Sequence, residues 1–255
     1  MKNHKIYSSL ILVVILFLAN KSFSQTSWTG TTSTAWSTAA NWTNGVPTSS
    51  VDAIIGDANF TGPNQPAISA SSVCKSLTLG GTVAATISVD KGLTVSGNIT
   101  INANGTMLHG RSTITLTGNW SNAGSYTGST NKTTVVFAGI AQTLGGNSTT
   151  SFRKITINAS STVTLTQNII VDGTGNSNIL TVNGTLNPNE SPSFQVSGAG
   201  KLTVGTSAVL KVNAATFAGN YASTGVLYDQ TIQLVNYYAS KEYPEKLRRI
   251  RSCLS

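Results

Sequence analysis

The feature that most constrains this chain is a unit of three or four residues that alternates apolar and polar, or is a brief apolar run, bounded by Gly, Asn, Asp or Ser. It occurs as Leu77-Thr78-Leu79, Thr86-Ile87-Ser88-Val89, Leu93-Thr94-Val95, Ile99-Thr100-Ile101 and Ile114-Thr115-Leu116. It returns as Val135-Val136-Phe137, Ile155-Thr156-Ile157, Val163-Thr164-Leu165, Ile169-Ile170-Val171, Leu180-Thr181-Val182, Leu202-Thr203-Val204 and Val209-Leu210-Lys211-Val212. A period of two is the strand signature, and β-branched Thr suits the solvated side of a strand. So short a strand cannot bury a face alone. No amphipathic helical period interrupts the pattern before about residue 240.

The units also repeat at longer range. Ser76-Leu77-Thr78-Leu79 matches Lys154-Ile155-Thr156-Ile157, and Asn104-Gly105-Thr106-Met107 matches Asn183-Gly184-Thr185-Leu186, at nearly the same offset. Val135-Val136-Phe137 resembles Val226-Leu227-Tyr228. This predicts a repeat of roughly 80 residues made of several coils, with a third repeat beginning near residue 226. Stacked coils would merge the Val, Ile and Leu residues into one apolar column. The fold expected is therefore all-β, a parallel β-helix of about eight to ten coils over residues 61–240. Strands at this spacing also suit a β-sandwich, but sequence repetition favours the solenoid. Charged residues are only 9% of the chain, against roughly 25% in an ordinary domain. Such polarity without charge can mean disorder, but the recurring apolar units argue against it.

Residues 1–24 read as a signal peptide. Lys2 and Lys5 precede an apolar run at 10–19, and Ser22-Phe23-Ser24 offers a small-x-small cleavage pattern. That run is too short to span a bilayer, which takes about 20 residues. The expectation is an exported, extracellular or cell-surface, outer-membrane-associated chain that does not itself span a membrane.

The formal charge is +8. Much of it lies in the leader and in the tail 241–255, where Lys246, Arg248, Arg249 and Arg251 cluster. With no basic stripe evident in the body, nucleic acid is not expected as a partner. Of the two cysteines, Cys74 reads as a small buried hydrophobe, with a bridge to Cys253 as the alternative.

Three of the four tryptophans fall early: Trp28-Thr29-Gly30, Trp36 and Asn41-Trp42, followed by Gly45-Val46-Pro47-Thr48 and Asp52-Ala53-Ile54-Ile55. This block resembles the start of exported β-helix surface proteins of the autotransporter-like and Bacteroidetes types. The likeness continues through Pro66-Ala67-Ile68, Cys74-Lys75-Ser76-Leu77-Thr78-Leu79 and Leu93-Thr94-Val95-Ser96-Gly97-Asn98-Ile99. The resemblance implies a right-handed β-helix, a surface or secreted location, and an adhesive, structural or carbohydrate-associated role. Read from its residues alone, the 25–60 block is an aromatic cap over the first coil, since large rings can cover an open edge. Against the family pattern the basic tail is out of place, and we expect a truncated or frame-shifted member. Flanking DNA that lacks β-helix coding sequence in every frame would overturn that.

Catalytic chemistry is sparsely supplied. Glycosidase chemistry needs two facing carboxylates, yet the chain has eight in all, spread apart. Asp90 and Asp172 lie about one long repeat apart, which suggests equivalent positions in two repeats rather than a pair. His109, beside Gly110 and Arg111, reads as a turn residue, and no Gly-x-Ser-x-Gly elbow accompanies it. No cofactor or metal is expected, and no catalytic residue is assigned. The function expected is a structural or adhesive module without catalysis, with extracellular polysaccharide or cell-surface components as partners. The alternative is a carbohydrate-binding module using Trp120 and Tyr126 as an exposed stacking pair, against a packing role for the same two rings, and more remotely a polysaccharide lyase or hydrolase.

Overall fold

A computed structural model describes residues 24–129, 132–172 and 179–228. Residues 1–23 of the segment expected to be a signal peptide (1–24), the basic tail 241–255 and Cys253 lie outside the described residues.

The chain winds as a parallel β-solenoid with three faces, visited in the same order in each turn. The first face stacks nine strands: Gln25–Ser27, Asp52–Ile55, Leu77–Leu79, Ile99–Ile101, Trp120–Asn122, Ala141–Gly145, Thr162–Leu165, Thr185–Asn187 and Val209–Leu210. Nine rungs make about eight turns, a stack on the order of 40 Å at ~4.8 Å per rung. The second face begins with Ala67–Ile68, Ala85–Val89, Gly105–His109 and Ser125–Gly128. Its ladder breaks there and resumes at Thr150–Phe152 and Ile169–Val171. The third face stacks Ser72–Cys74, Leu93–Val95, Thr113–Leu116, Thr134–Phe137, Lys154–Ile157 and Ile179–Val182. In the last turns the corner between the second and third faces straightens. Val196–Val204 and Tyr221–Tyr228 each run across both faces, with a register shift between Gly198 and Lys201.

Every pairing between these strands is parallel, which excludes the sandwich. Alternation does the sorting. In Leu77-Thr78-Leu79 both leucines are fully buried and Thr78 faces outward. Register then lays Leu77 against Ile99 and Ile99 against Trp120, so like stacks on like and the core is one continuous column.

A polar ladder fixes the step. Asp52 Oδ1 accepts from the Ser76 amide, Ser76 Oγ from Asn98, Asn98 Oδ1 from Asn119, and Asn119 Oδ1 from Thr143. These partners are separated by 24, 22, 21 and 24 residues, which is the length of one turn. The true repeat is therefore one turn, and the longer repeat read from the sequence is corrected. Leu77–Leu79 lies on the first face and Lys154–Ile157 on the third, so that offset is not a whole number of turns. The strand-and-corner pattern is common to all three faces, and this makes strands on different faces look alike. The match of Val135-Val136-Phe137 to Val226-Leu227-Tyr228 does stay on one face, four turns apart.

At the first turn, Trp28, Trp36 and Trp42 are buried. Their rings meet edge to face, Trp28 to Trp42 at 5.0 Å and Trp36 to Trp42 at 4.8 Å. Trp28 Nε1 donates to the Asn64 carbonyl at 2.8 Å. The Gly of the Trp-x-Gly block is required there: Gly30 has φ +65, and a Cβ would meet Asn64 O at 2.5 Å and the Phe60 ring at 2.7 Å. Cys74 is a free thiol pointing into the core, its pKa pushed up to about 12 by burial and further by nearby Asp52.

Candidate functional site

The interior is filled. A cavity between Val171, Leu180, Val196, Leu202 and Tyr221 holds about 10 Å³, room for a single water at most. Small-molecule sites run to hundreds of Å³. Binding chemistry therefore has to be sought on the outward faces and corners.

Trp120 and Tyr126 are not where the sequence reading put them. Trp120 is 1% exposed and Tyr126 8%. Trp120 meets Tyr126 at 5.1 Å and Phe152 at 5.3 Å, both edge to face. Stacking against a pyranose needs an open ring face, so the expectation of an exposed pair is corrected. Alternation explains the error. Trp120 lies in register with inward Ile99 and Leu144, and Tyr126 with inward Met107. The two rings sit where the second-face ladder breaks between Ser125–Gly128 and Thr150–Phe152.

His109 is likewise corrected, from turn residue to inward strand residue. It closes Gly105–His109, is fully buried, and has Nδ1 2.8 Å from the Tyr126 hydroxyl. Its Nε2 has no hydrogen-bond partner. Burial lowers the imidazole pKa from 6.5 to about 4, against a smaller opposing pull from the Ser112 backbone. Burial also raises the Tyr126 pKa. A histidine so enclosed is neutral at physiological pH and out of reach of any external substrate.

The carboxylates do not converge. Asp90 follows Ala85–Val89 and Asp172 follows Ile169–Val171, so both stand at the corner between the second and third faces. They are four turns apart, roughly 19 Å at the rung spacing, beyond the ~5–10 Å that glycosidase pairs span. Asp52 pairs with Lys75 at 3.5 Å, and Asp57 accepts from Ser27 Oγ at 2.6 Å. Among the described residues no three His, Cys, Asp or Glu side chains gather as a metal site. No helix among them is long and apolar enough to cross a membrane.

The outward surface has two components. One is uncharged: Thr94, Thr115, Val136, Thr156, Thr181 and Thr203 stack up the third face as a file of β-branched side chains. The other is a line of cations that the sequence reading missed. Lys91, Arg111, Lys132 and Arg153 each fall at the corner where the chain passes from second face to third, in four successive turns. Lys154 and Lys201 continue the line on the adjoining edge of the third face. The expectation that the body carries no basic stripe is thus corrected. Its signal was present in the sequence, because the four corner cations follow one another at a nearly constant interval, close to one turn. Aligning the cations at the coil length that the expected coil count implies is enough to see it.

No curated protein and no solved structure matches the chain. Over residues 27–138, which run from the end of the first strand to just past Thr134–Phe137, it is similar to a family described as a domain of unknown function (DUF8693).

Proposed function

We propose that the chain is an exported surface or secreted module that works as a rigid, non-catalytic scaffold, presenting its outward faces and corners for adhesion. One observation carries this reading: the stacked turns fill their interior, so their chemistry is displayed in repeating outward files. The resemblance of the Trp28 to Ile55 block to exported β-helix surface proteins supports the location, and the short apolar run at 10–19 after Lys2 and Lys5 supports export. Dispersal of Asp90 and Asp172 and enclosure of His109 support a role without catalysis.

Two measurements on one preparation test it. Antibody labelling of intact expressing cells, or recovery from the medium, should find the protein outside. Incubation with a panel of polysaccharides should release no new reducing ends. Purely cytoplasmic recovery defeats the location, and cleavage of any polymer defeats the scaffold.

A further inference from the structure

We propose that the corner between the second and third faces binds a linear acidic polysaccharide laid along the rod. Charge placement is the basis. Within the described residues the chain has eight cations and five carboxylates. The corner and its adjoining edge hold six of the cations, Lys91, Arg111, Lys132, Arg153, Lys154 and Lys201, with only Asp90 and Asp172 opposed to them. Elsewhere Lys75 and Lys211 face Asp52, Asp57 and Glu190, a slight negative excess. The positive field is therefore concentrated in one line and absent from the rest of the body.

The line is also built. Thr113 pairs with Thr134, which places Arg111 and Lys132, each two positions earlier, on neighbouring rungs. Lys91, Arg111 and Lys132 are exposed. Arg153 is pinned, its Nε donating to the Gly128 carbonyl at 3.0 Å and a terminal nitrogen to the Asp172 carbonyl at 3.3 Å. A guanidinium has five N–H donors, so others are left for an anion. Beside Arg111 and Lys132, the hydroxyls of Thr113 and Thr134 stand ready for sugar hydroxyls. Lys91, Arg111, Lys132 and Arg153 give a corner cation on each of four successive rungs, at ~4.8 Å per rung, a spacing that suits a polymer carrying one carboxylate per sugar.

Nucleic acid fits less well. Single strands are held by aromatic platforms as well as charge, and Tyr126 and Phe152 beside this corner both point inward. A duplex carries one charge per ~1.7 Å, far denser than a single file of side chains.

The inference rests on reading the solenoid as a display scaffold, but its test uses purified protein and does not depend on export. The chain would be passed over immobilised polygalacturonate, with dextran and oligo-dT as comparison surfaces. Binding to polygalacturonate, weakened by salt, is expected, with dextran bare. Arg111→Gln with Lys132→Gln should bind about tenfold more weakly, while Lys211→Gln should match the parent. The pair Lys91→Glu with Arg111→Glu, both at exposed sites, gives a second reading, and thermal melts confirm that each variant folds. Failure of the parent to bind, parent-level binding by both corner pairs, or preference for oligo-dT would overturn the proposal.

Discussion

Two three-ring aromatic clusters in the described column are made differently. In the first turn Trp28, Trp36 and Trp42 stack edge to face, and the indole N–H groups of Trp28 and Trp42 donate to backbone carbonyls. Four turns on, Trp120, Tyr126 and Phe152 stack in much the same way, but Tyr126 also bonds His109, a buried titratable ring. The first cluster lies in the first described turn and has one described turn beside it. The second sits mid-column with turns above and below it. Solenoid stability is close to a sum over neighbouring repeats, so position should matter as much as the rings.

The largest expected effect follows from that. Trp120→Ala and Trp28→Ala should each cost about 3–5 kcal/mol, as truncation of a buried aromatic does. Their reach should differ. Trp28→Ala should raise hydrogen exchange in the strands Gln25–Ser27 and Asp52–Ile55 and leave Ile155 to Ile157 protected. Trp120→Ala should loosen the strands on both sides of the gap. Equal, global loss of protection in both variants would show that the turns unfold as one body and that the comparison has no energetic meaning.

Acid should separate the clusters next. In the unfolded chain His109 takes up a proton near pH 6.5, whereas in the folded one it resists until about pH 4. Its folded pKa is lowered, so its effect on stability is absent above pH 6.5, grows as pH falls, and levels off below pH 4. At 1.36 kcal/mol per unit the loss is about 3 kcal/mol. Val89 and Gly128 flank the ring in its ladder, and Asp90 and Arg153 stand on the exposed corner beyond. Denaturant melts of the parent at about pH 7 and about pH 4.5 should differ by most of this amount. His109→Gln should remove the difference, whereas Trp28→Ala should retain it. A parent with equal stability at both pH values would show that the ring is already protonated or reached by water.

These clusters also mark the limit of what the sequence discloses. Wherever inward positions carry Leu, Ile or Val, as in Leu93–Val95 or Thr162–Leu165, the strand and its facing could be read directly. The strands Trp120–Asn122, Ser125–Gly128, Ala141–Gly145 and Thr150–Phe152 were not recognised. Each has an inward residue that looks like a surface or turn residue: Asn122, Gly128, Gln142 and Thr150. They can be buried because partners come from other turns. Asn122 Nδ2 donates to Thr150 Oγ1 at 3.1 Å, and Gln142 bonds the Leu116 and Gly118 carbonyls one turn below. Such pairing across a whole turn leaves no local trace. The basic corner has no local trace either, since its regularity appears only when the cations are aligned at the spacing of one turn.

A smaller effect distinguishes two asparagines that do one job at different range. Asn41 Oδ1 accepts from the amides of Thr32 and Ser33, and its Nδ2 donates to Ser33 Oγ and Ala35 O. Asn220 Oδ1 accepts from the amides of Asn213 and Ala214, but its Nδ2 reaches Ser193 and Phe194, a full turn back. Each is followed by a buried aromatic, Trp42 or Tyr221. Removal of either should cost about 2 kcal/mol, because buried amide partners lose their acceptor. Asn41→Ala should disturb only its own loop, whereas Asn220→Ala should also release the 188–195 segment to proteolysis. If limited proteolysis finds that segment no more sensitive in Asn220→Ala than in Asn41→Ala, the cross-turn bonds contribute nothing beyond local closure.

The smallest effect belongs to the outward files and bears on their use. Thr100 and Thr156 face outward between buried partners, Ile99 and Ile101 in one strand and Ile155 and Ile157 in the other. Replacing either by Val keeps the β-branch and alters only the hydroxyl, so stability should move by no more than about 0.5 kcal/mol. Replacing Ile155 by Thr, one position away, puts a hydroxyl into the column and should cost several times more. A thermal melt of the three variants compares outward positions on two faces with an inward one. Threonines that behave as neutral to folding would be retained for what they contact outside the molecule. A loss at Thr156→Val as large as at Ile155→Thr would instead make the file part of the framework and remove it from the surfaces available for adhesion.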